Sequence, residues 1–345
     1  MTVTDEAPWL ATLATWLREQ QVVEDDELLV TPITGGSQNE LWQVRSGDTR
    51  LVLRRPPAGA AAGRVTEFAR EKRVLAALAD SDVPHARLAA ACDDETVIGS
   101  PFYLMHFVDG WSPASSRTWP APFDADLSQR PGLAFELVRG AALLSKVDWR
   151  SKDLEGFGQP EGFHERQVDR WLRFLSAYKC RELPGLEVAA AWLREHRPRS
   201  YEPGILHGDY QFANVMYENG APAKLAAIID WEMTTVGDPL LDLGWVLIAW
   251  GEEADDMEYA RYLDLAGMPP RDDLLEHYAT ISGRPVDEID YYVVLARFKL
   301  GIVLEKSVAA ARAGGRAHES VAHFEPLVLE LMRKAAELTT TTSLR

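Results

Sequence analysis

The sequence has few cysteines, and this narrows the kind of protein it encodes. Only Cys92 and Cys180 occur in 345 residues, far apart and without a metal-ligand spacing. A disulfide framework and a cysteine-type zinc site are therefore excluded, and a reducing cytoplasm is favoured.

Positive charge and long apolar segments are also scarce. The 36 lysines and arginines are outnumbered by 53 aspartates and glutamates, which gives a formal net charge of −17. Such a surface repels nucleic acid and anionic membranes, so we expect neither as a partner. The longest apolar run, residues 243–250, is far shorter than the roughly 18 residues of a membrane span. The acidic N-terminus lacks the features of a signal peptide, so a cytoplasmic globular protein is expected.

Strand-like segments dominate the first third of the chain. Residues 28–55 contain apolar runs separated by turns, and similar runs return at 88–92 and 101–108. Between them, residues 66–78 have apolar side chains at helical spacing. These patterns predict a five-stranded antiparallel sheet with one helix, which forms an N-terminal lobe of residues 1–108.

The rest of the chain, residues 109–345, has mostly helical patterns and is expected to form a larger C-terminal lobe. The sequence therefore predicts an α+β fold with two lobes, consistent with a length that exceeds one typical core. The helix candidates are residues 131–146, 166–178, 186–195, 239–250, 255–265, 289–311 and 318–338.

A short segment in the C-terminal half combines residues suited to phosphoryl transfer. Asp209 ends a His-Gly-Asp triplet, Asn214 lies five positions later, and Asp230 closes an apolar run sixteen residues beyond that. An aspartate in a tight turn suits a general base for a substrate hydroxyl, while Asn214 and Asp230 offer oxygen ligands to Mg²⁺. Aspartate and asparagine in turns often only cap backbone groups. The joint spacing nevertheless favours a magnesium-nucleotide site.

Two features of the N-terminal lobe are candidates for binding the nucleotide phosphates. Gly35, Gly36 and Ser37 lie between two strands, where glycine lets backbone amides approach a phosphate, although such a turn often makes only a hairpin. Arg54 stands where kinase-like sites use a lysine, and Glu71 is its candidate partner. Taken singly, both charges are also compatible with a solvent-facing position.

The whole pattern resembles the aminoglycoside phosphotransferase family, small-molecule kinases with a bilobal protein-kinase-like fold. The resemblance covers about residues 31–312 and rests on the His-Gly-Asp triplet, on Asn214 and on the Ile-Asp-Trp-Glu run 229–232. It implies that Asp209 is the catalytic base and that Asn214 and Asp230 bind Mg²⁺. ATP or GTP is the implied phosphoryl donor.

The same resemblance implies roles for residues outside this segment. Residues 101–110 correspond to the hinge, where backbone groups near His106 and Val108 hold the adenine. Asp238 and Asp242 match the structural aspartates of the family, with Asp242 anchoring the catalytic loop.

The acceptor is less constrained by the sequence. Residues 53–57, 157–168 and 230–239 look most like the branch found fused to, or encoded near, acyl-CoA dehydrogenases. This implies a hydroxylated metabolite, such as a hydroxyacyl thioester, as the small-molecule acceptor.

Three alternatives remain open. The acidic run 252–256 is compatible with a polycationic substrate, and thus with an aminoglycoside or other antibiotic phosphotransferase, although such runs are usually solvated faces. Arg54 in place of lysine is compatible with a nucleotide-binding module without turnover. A metal-dependent hydrolase built on His207, Asp209 and Asp230 predicts further histidine and aspartate clusters, which the sequence lacks.

Overall fold

The computed structural model of the protein describes residues 9–24, 27–33, 39–57, 59–113, 118–250, 263–314 and 321–344. The chain forms two compact units. Unit 1 comprises Met1–Gly110, Arg150–Leu154 and Ala226–Glu232, and unit 2 comprises Trp111–Trp149, Glu155–Leu225 and Met233–Arg345.

Unit 1 is built on an antiparallel sheet with strand order β1-β2-β3-β5-β4. The predicted five-stranded sheet is thus confirmed. Helix α1 precedes it, and helix α2 begins four residues before the predicted start. The elements are α1 Leu10–Glu19, β1 Leu29–Ile33, β2 Glu40–Ser46, β3 Thr49–Arg55, α2 Ala62–Leu78, β4 Leu88–Cys92 and β5 Phe102–His106.

The two faces of this sheet have different coverings. Leu51 and Leu53 of β3 are fully buried in a cluster that includes Leu13 and Leu17 of α1. Because side chains alternate along a strand, Arg54 points to the opposite face, where it meets α2. The alternation of β3 therefore fixes which face carries the charged site.

Unit 2 is mainly helical, as predicted. Its short strands β6 and β9 pair in antiparallel register, and β8 begins with Leu225 of unit 2 and continues as the start of the last segment of unit 1. The elements are α3 Pro131–Ser145, α4 Phe163–Ser176, α5 Leu186–Glu195, β6 Gly204–Leu206, β7 Val215–Tyr217, β8 Leu225–Ile228, β9 Thr235–Gly237, α6 Leu240–Val246, α7 Arg271–Ser282, α8 Ile289–Arg312 and α9 Val321–Thr341.

Two differences from the sequence prediction concern unit 2. The predicted helix 239–250 divides into α6 and a 3-10 turn, Leu247–Ala249. Helix α7 was not predicted, and most of the predicted helix 255–265 lies outside the described residues.

Helix α8 forms the centre of unit 2. It is apolar around most of its circumference, as a helix surrounded by others must be, and it packs against α4, α5, α6 and α9. Lys299 and Glu305 are nevertheless buried within it. Among the described residues, none of the helices combines the length and apolar character needed to span a membrane.

Candidate active site

The turn that carries Asp209 follows directly from strand β6. Gly208 has a φ of +85°, a left-handed conformation that residues with a Cβ rarely adopt. A Cβ at this position would lie 2.5 Å from the carbonyl oxygen of Met233. The glycine is therefore required both by the backbone conformation and by the close approach of the following chain.

Asp242 of α6 holds this turn through hydrogen bonds to its backbone. Its carboxylate accepts hydrogen bonds from the backbone N–H groups of His207, at 2.6 Å, and Gly208, at 2.8 Å. Burial raises the pKa of Asp242 to about 7, although the two backbone N–H groups and the nearby Lys299 act in the opposite direction. The carboxylate thus closes the turn by satisfying two buried donors.

Hydrogen bonds fix the Asp209 side chain on both oxygens. Gln211 Nε2 donates to Oδ1 at 2.7 Å, and Asn214 Nδ2 donates to Oδ2 at 2.9 Å. Asn214 Nδ2 also lies 2.8 Å from the backbone carbonyl oxygen of Asp209. Since the amide nitrogen is engaged with Asp209, the planar amide directs Oδ1 of Asn214 away from the carboxylate. Sequence reasoning missed Gln211, whose only signal is its position two residues after the aspartate.

In unit 1, Arg54 and Glu71 form a two-point ion pair. Arg54 Nε lies 2.9 Å from Glu71 Oε2, and its terminal nitrogen lies 2.7 Å from Oε1. The Tyr103 hydroxyl donates to Oε2 at 3.2 Å. Burial raises the pKa of Glu71, which is 2% exposed, and Arg54 opposes that shift through its charge and hydrogen bonds. The interpretation of these two charges as solvent-facing is therefore wrong.

Asp230 joins Glu71 in a carboxylate cluster of unit 1. One oxygen from each of Glu71, Asp230 and Glu232 lies within 4.8 Å of the others. Asp230 has a φ of +67°, an unusual conformation for a residue with a Cβ and one that is often found at functional sites. Sequence reasoning gave Glu232 no role, although it stands two positions after Asp230.

The cluster has the electrostatic character of a cation site. Burial, together with the charges of Asp230 and Glu71, raises the pKa of Glu232 to about 7, while Arg64 and Arg54 oppose that shift. Since Mg²⁺ binds oxygen ligands and often only one or two carboxylates, Asp230 and Glu232 fit it chemically. The role of Asn214, which lies in unit 2, as a magnesium ligand stays a prediction.

The predicted hinge includes β5, whose last residue is His106, and Val108 lies two residues beyond it. His106 donates its backbone N–H to Arg87 at 2.8 Å, and Phe107 donates to Arg50 at 3.0 Å. The role of His106 and Val108 as the adenine contact stays a prediction.

The remaining predicted phosphate contacts lie in a segment that is not described. Gly35, Gly36 and Ser37 are outside the described residues, as is the acidic run 252–256.

Unit 2 has a cavity of about 390 Å³ next to Asp209. Its polar lining groups are Asp209, Gln211 and His323, and Asp209 is the one carboxylate among the described lining residues. Most of the wall is apolar and includes Met233, Trp245, Leu300, Val303, Phe324 and Leu327.

Known proteins resemble this chain in sequence and in fold. Residues 29–278, more than half of the chain, match the phosphotransferase enzyme family. Acyl-CoA dehydrogenase family member 11 of Gallus gallus is 27% identical over 319 residues, which cover 90% of this chain and 40% of that protein. Family member 10 of Mus musculus is 26% identical over 302 residues, 83% of this chain and 28% of that protein. The chain thus spans less than half the length of these two relatives.

One solved structure is similar over nearly its whole length. It is that of a Ralstonia eutropha JMP134 protein named as an aminoglycoside phosphotransferase, with 25% sequence identity and a TM-score of 0.80. The alignment covers 96% of this chain and 98% of that chain. The protein-kinase-like fold expected from the sequence is confirmed by this similarity.

Proposed function

The chain belongs to the phosphotransferase enzyme family, whose fold it shares, and we propose that it transfers the γ-phosphoryl group of ATP or GTP to a hydroxyl of a small molecule with an apolar body. The proposed acceptor class is a hydroxylated metabolite such as a hydroxyacyl thioester. Family membership supports the small-molecule kinase activity, and the cavity beside Asp209 supports the acceptor class.

The residues of unit 2 supply the proposed base. Asp209 accepts the proton of the acceptor hydroxyl. The hydroxyl oxygen forms a bond to the γ-phosphorus, and the bond between that phosphorus and the bridging oxygen of the leaving nucleoside diphosphate breaks. Gln211 and Asn214 hold the carboxylate so that one orientation is presented to the acceptor. The products are a phosphorylated alcohol and ADP or GDP.

The residues of unit 1 supply the proposed nucleotide contacts. Arg54, oriented by Glu71, is a cation for the nucleotide phosphates, and the backbone of His106 and Val108 is the proposed adenine contact. Asp230 and Glu232 would hold Mg²⁺, which when bound neutralises phosphate charge. We propose on this basis that residues 1–108 act as the nucleotide-binding lobe and 109–345 as the catalytic and substrate-binding lobe.

The apolar wall of the cavity is the main support for the proposed class of acceptor. Its volume of about 390 Å³ falls within the ordinary range for small-molecule sites. An apolar chain in this cavity gains roughly 0.8 kcal/mol for each buried methylene. A hydroxyl on that chain can then approach Asp209, the carboxylate at the cavity wall.

The same wall disfavours an aminoglycoside. Such a molecule carries several ammonium groups, and each is costly to bury unless an anion or an acceptor receives it. Among the described lining residues only Asp209 is acidic. The names of the two acyl-CoA dehydrogenase family relatives support an acyl acceptor for this chain.

The direct test is acceptor-dependent release of ADP or GDP from the magnesium nucleotide. The panel contains hydroxyacyl thioesters of graded chain length, the free hydroxy acids and aminoglycosides. We expect thioesters to stimulate release, with kcat/KM rising about fourfold for each added methylene until the cavity is filled. Stimulation by aminoglycosides and by none of the thioesters would overturn the acceptor class.

A charge placed in the wall provides a matched comparison. Val303→Asp introduces a carboxylate among the apolar lining residues and is expected to lower kcat/KM for the thioester by about tenfold or more. Ser307→Asp adds the same charge one turn later in the same helix, at an exposed position that does not line the cavity, and should leave kcat/KM unchanged. Equal effects of the two substitutions would show that the cavity does not receive the acceptor.

A further inference from the structure

Lys299 is a buried lysine in the middle of α8, with 5% of its surface exposed. Its ammonium group donates a hydrogen bond to the backbone carbonyl oxygen of Gly208, the residue immediately before Asp209. A distant helix thus contacts the catalytic turn through one charged side chain.

The groups around Lys299 come from several elements. The ammonium nitrogen lies 4.7 Å from the centre of the Trp245 ring of α6 and 5.5 Å from that of the Trp171 ring of α4. Asp209 and Asp242 attract its charge, and Arg170 of α4 repels it. The faces of two aromatic rings and the charges of two carboxylates therefore favour the charged form of an ammonium group that is buried away from water.

This arrangement is costly, because burial disfavours the charged form of lysine. Burial lowers the pKa of Lys299 to about 8, even though Asp209 and Asp242 favour its charged form. A methionine would fill much of the same space without that cost. Packing alone therefore does not account for a lysine here.

We propose that Lys299 is a positioning residue for phosphoryl transfer: its ammonium holds the Gly208 carbonyl and stabilises the ionised carboxylate of Asp209. This inference rests on the proposed role of Asp209 as the base. Asp242 holds the N–H groups of His207 and Gly208 and Lys299 holds the Gly208 carbonyl, so the peptide groups before and after Gly208 are both fixed. The base is thereby kept in one place and in the charged form that accepts a proton.

The contact can be tested without turnover by NMR of protein labelled at the lysine side chains. The Lys299 signal is assigned by its loss in Lys299→Arg, and its titration is followed in the wild type and in Asp209→Asn. We expect the Lys299 side chain to titrate with a midpoint well below 10.5, the ordinary pKa of lysine. Removal of the Asp209 charge should lower that midpoint further, by about half a pH unit or more. A midpoint near 10.5, or one that does not respond to Asp209→Asn, would overturn the proposal.

The kinetic test uses ADP release from MgATP, with water or a hydroxyacyl thioester as acceptor. Loss of the hydrogen bond and charge in Lys299→Met should lower kcat about tenfold to a hundredfold, while KM for MgATP changes less than twofold. Lys299→Arg keeps the charge and should retain more kcat than Lys299→Met. Lys306→Met removes an exposed lysine from the same helix and should leave kcat at the wild-type value.

The pH profile separates positioning from a merely structural role. In the wild type, kcat should fall above about pH 8 as Lys299 loses its proton. This alkaline fall should be absent in Lys299→Met and displaced to higher pH in Lys299→Arg, because arginine stays charged. A wild-type fall that persists unchanged in Lys299→Met would overturn the proposal. Absence of wild-type turnover, with the NMR coupling intact, would instead contradict the proposed function.

Discussion

The carboxylate of Asp242 accepts the backbone N–H of Gly208 at 2.8 Å and so ties helix α6 to the turn that presents Asp209. The same glycine donates through its N–H and accepts through its carbonyl, where Lys299 is the donor. Two side chains of opposite charge thus hold the peptide groups on either side of Gly208.

Substitution of Gly208 by alanine should distort this turn. Gly208→Ala places a Cβ 2.5 Å from the Met233 carbonyl oxygen in addition to the strain of a positive φ. Gly220→Ala is the matched control, since Gly220 has a φ of +84° and no heavy atom within 4 Å of a Cβ. The control should lose about 1 kcal/mol of unfolding free energy from strain, and Gly208→Ala roughly 2 kcal/mol more, with a lower kcat. Equal losses in urea unfolding would contradict the contact.

Removal of Arg54 should destabilise the protein by leaving Glu71 buried without its partner. We expect Arg54→Ala to reduce the unfolding free energy by about 3–5 kcal/mol, and Arg54→Ala combined with Glu71→Gln to recover part of that loss. The control is Arg50→Ala on the same strand, because its partner Asp109 is 64% exposed and exposed ion pairs contribute little to stability. A similar loss for Arg50→Ala and Arg54→Ala would contradict the burial of this pair.

The lowered pKa of Lys299 predicts how stability changes with pH. Between its folded pKa of about 8 and its ordinary value of 10.5, the unfolded chain binds more protons at this position than the folded chain. Stability contributed by this site therefore rises with pH across that window and is lowest below pH 8. The unfolding free energy of the wild type minus that of Lys299→Met should rise by up to about 3 kcal/mol from pH 8 to 10.5. The same difference taken with Lys306→Met should stay flat, and a flat difference for both variants would contradict the shift.

Asp230→Asn should weaken binding of the magnesium nucleotide. Asparagine tolerates a positive φ, so this substitution removes the charge while keeping the backbone conformation. We expect the calorimetric Kd for MgATP to rise about tenfold or more. Asp153→Asn is the control in unit 1, since Asp153 also has a positive φ, of +53°, and is exposed. Unchanged affinity in Asp230→Asn would contradict its role as a magnesium ligand.

Much of the fold was predictable because its patterns are local. Strands β1 to β5 alternate or run apolar between clear turns, and α8 and α5 have continuous helical patterns. Helix α7 was missed because it buries only Leu274 and Tyr278, which leaves little periodic signal. The predicted aminoglycoside phosphotransferase resemblance is confirmed by the family match.

The candidate site was predictable only where its residues are close in sequence. Asp209 and Asn214 lie in one segment, so their spacing could be recognised, and their hydrogen bond follows from the short turn between them. Lys299 lies ninety residues beyond Asp209 on an otherwise apolar helix, where its charge gave no indication of what it contacts. Pairings of this kind depend on tertiary packing, which local patterns do not encode.

The most direct test of the central claim is the rate of phosphoryl transfer in Asp209→Asn, measured as ADP release from MgATP with a hydroxyacyl thioester as acceptor. Asparagine keeps the shape of the side chain but cannot act as a base. The account predicts that kcat falls by about 10²- to 10⁴-fold while the calorimetric Kd for MgATP stays within twofold of the wild type. A variant that retains the wild-type rate would contradict the assignment of Asp209 as the base.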